Sequence, residues 1–242
     1  MSKLSNFGYS KVTPKEKTKL VQKVFSDVAF NYDLMNDLMS FGAHRLWKKW
    51  FIDIVNPSSD EKIIDIGSGS GDLVIEIQKR NKNVKIDMVD LNKEMLLEGG
   101  KRIKNDNVKF YQQNAENLSF VDNMYDKYLI SFCLRNITNI EQSFKEALRI
   151  LKPGGQYYCL EFSQPNSFVI ANIYSYYKSN MIPIFGKIFA NNRDAYNYLN
   201  ESIDLFPKQD DLKKKLESAG FKSVKYTNMF DGIVSIHTGY KY

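Results

Sequence analysis

The sequence predicts an α/β domain, a mostly parallel sheet with helices on both faces and an N-terminal helical cap. Three observations carry that prediction. From about Lys62, short β-rich runs alternate with longer runs of helical period. The first strand-like run ends in three glycines at alternate positions, "IIDIGSGSGD". The composition, 43% apolar and 26% charged over 242 residues with no low-complexity tract, suits one folded core.

Taken in order, residues 15–50 read as helices rich in aromatics around the polar cluster "NYDLMNDLMSFGAHRLWKKW". That stretch is too short for a core of its own, so it reads as a cap. The strand "KIIDIG" follows, then a helix over 72–80, the strand "VKIDMVDL", a helix over 93–103, the strands "VKFYQQ" and "YDKYLISF", a helix over 141–151, and the strand "GQYYCLEF". Residues 168–198 are rich in Tyr, Phe and Ile, with turns at Pro183 and Gly186. A helix over 210–219, ended by Gly220, leads to "SVKYTNM" and "IVSIHTGY", which read as a hairpin on the sheet edge. The organisation is a single domain: a cap over 1–60, a ligand-binding core over 61–165, and a substrate-covering insertion with the terminal hairpin over 166–242.

Composition narrows the class. The N-terminal residues lack the apolar core of a signal peptide, and no apolar run is long enough to span a bilayer, so a cytoplasmic location is expected. The two cysteines, Cys133 and Cys159, lie in strand-like contexts and read as buried small hydrophobes; neither a disulfide framework nor a metal site is expected. The net charge of +6 would suit an anionic partner, but the lysines are spread along the chain with no basic stripe interleaved with aromatics, so nucleic acid is not expected.

Gly67, Gly69 and Gly71 let the chain turn sharply off the strand and bring backbone N–H groups close to a ligand. A dinucleotide fingerprint needs G-x-G-x-x-G with a pyrophosphate on the helix N-terminus. Here the third glycine comes one residue early, and Asp65 and Asp72 bracket the loop with negative charge that disfavours a pyrophosphate. A nicotinamide dehydrogenase is thereby disfavoured. A ligand with a sulfonium centre and an amino acid tail, S-adenosylmethionine, suits the field better. Asp90, at the end of the next strand, is placed to accept both ribose hydroxyls. After the third strand, Asn114, Ala115 and Glu116 stand at the height of an adenine. Together these three strand ends resemble the class I S-adenosylmethionine-dependent methyltransferases, which implies a Rossmann-like, seven-stranded fold; "LRILKPGG" strengthens the resemblance.

The acceptor is narrowed by the end of the fourth strand. Amino-methylating nucleic-acid enzymes carry a D/N-P-P-Y-like run there, and this chain has "SFCLRNI". Cys133 lacks the context of a cytosine-methylating nucleophile. "SFCLRNI" instead resembles the ubiquinone/menaquinone biosynthesis C-methyltransferases. So do "VFSDVAFNYDLMNDLMSFGAHRLWKKW", "LEFSQP", "YNYLNESI" with "FP" following, "AGF" and "GIVSIHTGYKY", which extend the likeness over nearly the whole chain. The family more often shows A-G-G-T-G-D where this chain has Ile66-Gly67-Ser68-Gly69-Ser70-Gly71-Asp72; Ser70 keeps the threonine hydroxyl.

The resemblance implies cofactor contacts at Ser70, Asp90, Asn114, Ala115 and Ser131, beside Asp65, Gly67 and Gly69 of the loop. It implies C-methylation of a polyprenylated quinol ring, a naphthoquinol or benzoquinol, and family members often pair as homodimers. A ring carbon becomes nucleophilic when a ring hydroxyl loses its proton, so the site needs a partner for the phenolate and an acceptor for the proton. Arg135 is the first choice for the phenolate partner. Its alternative role is an ion pair with the cap through Asp33 or Asp37, and the two roles can coexist. Tyr32, Asp33, Asn36 and His44 are candidates for the wall above the ring, with His44 and the strand residue His237 ranked lower. Residues 168–189, with Lys178 and Lys187, could form a prenyl groove and a peripheral membrane contact. A different small-molecule or RNA acceptor, or a non-catalytic scaffold in quinone synthesis, would keep the same sheet.

Overall fold

The computed structural model describes residues 4–29, 36–37, 40, 42–176 and 193–242. A seven-stranded sheet runs through it, built from β3 (Lys62–Ile66), β4 (Lys85–Asp90), β5 (Val108–Gln112), β6 (Tyr125–Ser131), β7 (Leu151–Phe162), β8 (Lys222–Met229) and β9 (Val234–Tyr240). Its order is β5-β4-β3-β6-β7-β9-β8. The first five of these strands are parallel, and β9 and β8 complete the expected antiparallel hairpin at the edge. The chain leaves β3 toward β4 on one side and returns to β6 on the other, so a crevice opens above the carboxyl ends of β3 and β6. Ile66 pairs with Val89 and with Ile130, which brings Asp90 and Ser131 to the height at which the chain leaves β3, with Asp65 two residues below them.

The helices α1 (Pro14–Val28), α2 (Ala43–Val55), α3 (Asp72–Arg80), α4 (Lys93–Arg102), α5 (Ile140–Ile150), α6 (Phe168–Tyr176), α7 (Arg193–Asp204) and α8 (Gln209–Ala219) surround the sheet. One face packs Trp47, Phe51, Ile52 and Val55 of α2 with Leu73, Val74 and Ile77 of α3 against Ile63, Leu129, Leu160 and Ile236. The other packs Phe144 and Ala147 of α5 with Leu212 and Leu216 of α8 against Ile64, Tyr128 and Tyr157. The segment read as a cap therefore divides. Helix α2 places large apolar side chains at helical spacing onto the sheet and belongs to the core. Helix α1 lies over the crevice: Gln22 donates to the Leu91 carbonyl at 3.3 Å, and Asn92 donates to Ser26 Oγ at 2.8 Å. Its N-terminus is set by a reciprocal Thr13–Glu16 capping box with Pro14 in the first turn.

The sequence reading did not anticipate a small hairpin, β1 (Ser5–Phe7) with β2 (Ser10–Val12). It docks on α7 through Phe7 stacked on Tyr198 at 4.3 Å and through the Tyr9 amide donating to Glu201 at 3.0 Å. Tyr198 in turn donates to Asn136 at 2.9 Å, inside the turn that follows β6.

Candidate active site

The loop from β3 to α3 forms because Gly67, Gly69 and Gly71 all take positive φ, at 63°, 54° and 89°. At Gly67 a Cβ would lie 2.1 Å from the Cys133 sulfur, so only glycine lets the Cys133 side chain pack against the loop. Ser68 does not adopt positive φ, which explains why a residue other than glycine is accepted there. The loop is pinned to the next strand: the Gly69 N–H donates to Asp90 Oδ2 at 2.9 Å, and the Asn92 N–H to Asp90 Oδ1 at 2.8 Å.

The two acids that bracket the loop differ. Asp72 accepts from Lys48 at 2.7 Å and from Arg102 at 2.9 Å. Burial pushes its carboxyl up, but those two cations outweigh burial and hold it at about 2. Its charge is neutralised locally, so it adds less to the ligand's field than the sequence suggests. Asp65 is 1% exposed, and its Oδ2 has no partner among the described residues. Burial, reinforced by the Asp90 carboxylate and opposed by Lys48, pushes it up to about 8. Asp90 is also raised, by burial, although the amides of Asn92, Gly69 and Leu91 pull it down.

Two connected cavities meet at this loop. The first is lined by Gly67, Gly69, Asp90, Asn114, Ala115 and Ser131, with Val21, Gln22 and Phe25 of α1 as its roof. Asn114 is fixed in place because its side-chain oxygen accepts from the Glu116 amide at 2.9 Å. The second cavity shares Gly67, Gly69, Ser131 and Phe132 and continues past Asp65, Ser68 and Ser70 to Asn36, Ser40, His44, Lys48, Arg135 and Phe162. Ser131 Oγ is buried between them with no partner among the described residues. The Ser70 hydroxyl accepts from Arg102 at 2.7 Å.

Arg135 stands in the second cavity on the turn Leu134–Asn136. Its ion-pair partner is Glu161 of β7, at 2.6 Å, with the two side chains 5% and 0% exposed. Asp37, offered above as a partner, instead receives Arg45 at 2.6 Å and His44 at 2.8 Å. That pairing is corrected because α2 carries His44 and Arg45 to Asp37 first. Asp33 and Tyr32 lie outside the described residues, as do Lys178 and Lys187. The Arg135 guanidinium also lies 5.3 Å from the Phe162 ring centre, and its Nε is buried with no partner among the described residues. Glu161, the acid that clamps Arg135, escaped sequence reasoning; its signal is an acid inside the apolar strand run "YYCLEF". Cys133 abuts Gly67, and burial raises its thiol well above the ordinary range, which suits packing and not nucleophilic attack.

The first cavity fits an adenosyl group with a cationic centre. Asp90, Asn114 and Ala115 line it, Ser131 Oγ stands without a partner among the described residues where it meets the second cavity, and the orphaned Asp65 Oδ2 belongs to that second cavity. The comparisons agree with that geometry. The family model for the ubiE/COQ5 methyltransferase family matches residues 12–241. A protein of Rickettsia bellii (strain OSU 85-389) is 45% identical over 98% of both chains, and one of Rickettsia prowazekii (strain Madrid E) is 44% identical over the same shares; both are named ubiquinone/menaquinone biosynthesis C-methyltransferase UbiE. A possible histamine N-methyltransferase of Thermotoga maritima shares the fold with a TM-score of 0.66 and 20% identity, covering 92% of this chain and 100% of its own. The chain belongs to the ubiE/COQ5 methyltransferase family and is an S-adenosylmethionine-dependent C-methyltransferase.

Proposed function

We propose that the acceptor is a ring carbon of a polyprenylated quinol, 2-methoxy-6-polyprenyl-1,4-benzoquinol, demethylmenaquinol or both, as intermediates of ubiquinone and menaquinone synthesis. The observation that carries this reading is the second cavity, where a buried guanidinium, Arg135, stands beside the aromatic walls Phe132 and Phe162 and opens onto the cofactor cavity through Ser131. Bound S-adenosylmethionine supplies an electrophilic methyl group on a cationic sulfur. The chain's own residues do the rest. Asp65 and Asp90 hold the cationic and ribose ends, and Phe132 and Phe162 offer faces to a flat ring. Arg135 stabilises negative charge on the ring oxygen in a water-poor site where that charge is least shielded. The test is methyl transfer to short-tailed forms of both quinols. Labelled product from either supports the reading, and cofactor binding with neither quinol methylated moves the chemistry to another acceptor.

Asp65 makes cofactor binding pH-dependent. In the free protein it is protonated below about 8. A cation bound beside it favours the carboxylate, so binding below that pH releases a proton, and affinity rises with pH until about 8 and then levels off. Calorimetry at pH 7 in buffers of different ionisation enthalpy reads the proton directly, and Asp65→Asn removes the dependence. Equal enthalpies in all buffers for the wild type would contradict the assignment.

A prenylated substrate resides in lipid, and the chain is read as reaching it by peripheral contact. No helix among the described residues is long and apolar enough to cross a membrane. Helix α2 exposes Leu46, Trp50 and Ile54 along one stripe, with Phe230 stacked on Trp50 at 6.1 Å and Lys49 beside it. Phe168 and Val169 are also exposed, next to Ser167, which is tied to Asp231. Flotation with anionic vesicles is expected to recover the protein, and Trp50→Glu to lower that recovery severalfold. No recovery of the wild type would refute membrane contact.

A further inference from the structure

His44 opens the first turn of α2 and is 4% exposed. Its backbone N–H donates to Ser40 Oγ at 3.1 Å, and Ser40 Oγ donates to the Asn36 carbonyl at 2.7 Å, which fixes the ring's base. Its Nε2 lies 2.8 Å from Asp37 Oδ1, and Asp37 is itself held by both the Nε and Nη2 of Arg45, at 2.7 and 2.6 Å. The Arg45 bond, against the opposing effect of burial and with help from His44, keeps Asp37 ionised, down to about 2. A carboxylate accepts and does not donate, so the hydrogen of neutral His44 sits on Nε2 and the lone pair on Nδ1. That Nδ1 is buried with no hydrogen-bond partner among the described residues, and His44 lines the cavity that holds Arg135 and Phe132.

We propose that His44, oriented by Asp37, is the base that removes the ring hydroxyl proton of the acceptor, while Arg135 holds the oxyanion. The inference rests on the quinol reading above. An arginine stays protonated near neutral pH and cannot take this proton. The hydroxyl proton passes to Nδ1, leaving a phenolate. The ring carbon forms its bond to the methyl carbon as the carbon–sulfur bond breaks with its electron pair on sulfur. The ring C–H proton leaves to water, its bonding pair restores the aromatic phenolate, and the oxygen takes its proton back from the imidazolium. One proton per turnover reaches solvent.

The surrounding charges suit the role. Burial first, then the Lys48 ammonium, lowers the His44 pKa, and Asp37 and Asp72 oppose that shift, so the ring is neutral and able to accept at neutral pH. Asp65 and Arg135 line the same cavity.

The test uses His44→Gln, whose amide N–H can still reach Asp37, and Asp37→Asn, which keeps the histidine but removes its ionised partner. Two readouts separate a base from a structural residue. The first is kcat on a short-tailed quinol, expected to fall about 10²- to 10³-fold in His44→Gln with KM changed less than about threefold. A ring analogue with an electron-withdrawing substituent, already ionised at the assay pH, recovers most of that loss. The second needs no turnover: a short-tailed nitrophenol bound with S-adenosylhomocysteine is titrated by its phenolate absorbance. Wild type is expected to show phenolate at a pH about one unit or more below that of His44→Gln, with Asp37→Asn between them. Coincident titrations in all three proteins overturn the proposal, as does a kcat loss of the same size for the ionised analogue. A wild type that binds the nitrophenol but methylates no quinol would overturn the quinol reading instead.

Discussion

Replacing Asp90 with alanine is expected to weaken S-adenosylmethionine binding by about two to four orders of magnitude and leave the sheet folded. The carboxylate sits at the end of β4, with each oxygen already accepting one backbone N–H, from Gly69 and from Asn92. Those bonds fix its orientation and keep it able to accept a ligand's hydroxyls despite partial burial. Two charge-assisted hydrogen bonds to a ribose contribute about 1.5–3 kcal/mol each. Their joint loss corresponds to about two to four decades in Kd, and the loosened glycine loop acts in the same direction. Asp90→Asn is expected to lose nearly as much, because an amide nitrogen facing the Gly69 or Asn92 N–H sets donor against donor. Titration calorimetry measures the effect, with circular dichroism as the check on folding. A Kd within threefold of wild type would remove Asp90 from the cofactor site.

The second large effect is expected at Glu161, which lines neither of the two cavities. Its Oε1 accepts from Arg135 Nη1 at 2.6 Å and from the Phe162 N–H at 2.9 Å, and its Oε2 from the Arg135 N–H at 3.3 Å. The carboxylate is fully buried. Glu161→Ala leaves a buried guanidinium without its counter-charge, a change that costs about 3–5 kcal/mol. For a chain of this size that lowers Tm by about 10 °C. On the proposed role of Arg135, activity is expected to fall further than stability, since the guanidinium would no longer stand beside the ring oxygen. The double substitution Arg135→Met with Glu161→Met is expected to recover most of the stability and none of the activity, because apolar side chains of similar volume fill a buried ion-pair site well. Thermal melts and kcat on the three proteins check this. A Glu161→Ala protein within about 1 kcal/mol of wild type would show that the pair is solvated.

Much of the fold was legible because its signals are local. Strand and helix periods alternate from 62 to 162 except between β5 and β6, and the turns after β3 and β4 announce themselves by glycine or by an acid at the strand end. Asp65, Asp90, Asn114 and Ser131, proposed here to hold the cofactor, were readable as candidates because in a parallel sheet the carboxyl ends of the strands open onto one crevice. Pairings across the fold were not readable. Asp72 is neutralised by Lys48 from 24 residues before it and Arg102 from 30 residues after it, and no spacing rule predicts such a meeting. Asp37 was offered to Arg135, but the geometry of α2 gives it to His44 and Arg45. The hairpin β1–β2 escaped because strands of three residues have no period to detect; its stability comes from Phe7 on Tyr198 and Tyr9 on Glu201. His44 ranked low because a sequence does not show whether both ring nitrogens have partners. The structure leaves Nδ1 without one among the described residues.

The central claim is that this site transfers a methyl group to a ring carbon. The most direct measurement supplies S-adenosylmethionine labelled with ¹³C in its methyl group, together with short-tailed demethylmenaquinol and the methoxy-benzoquinol, and reads the product by ¹³C NMR. The account predicts a labelled carbon in the aryl-methyl region, with the ring proton at that position gone. Label in the methoxy region would contradict it, since the oxyanion that Arg135 stabilises would then be the nucleophile and not the source of charge for carbon.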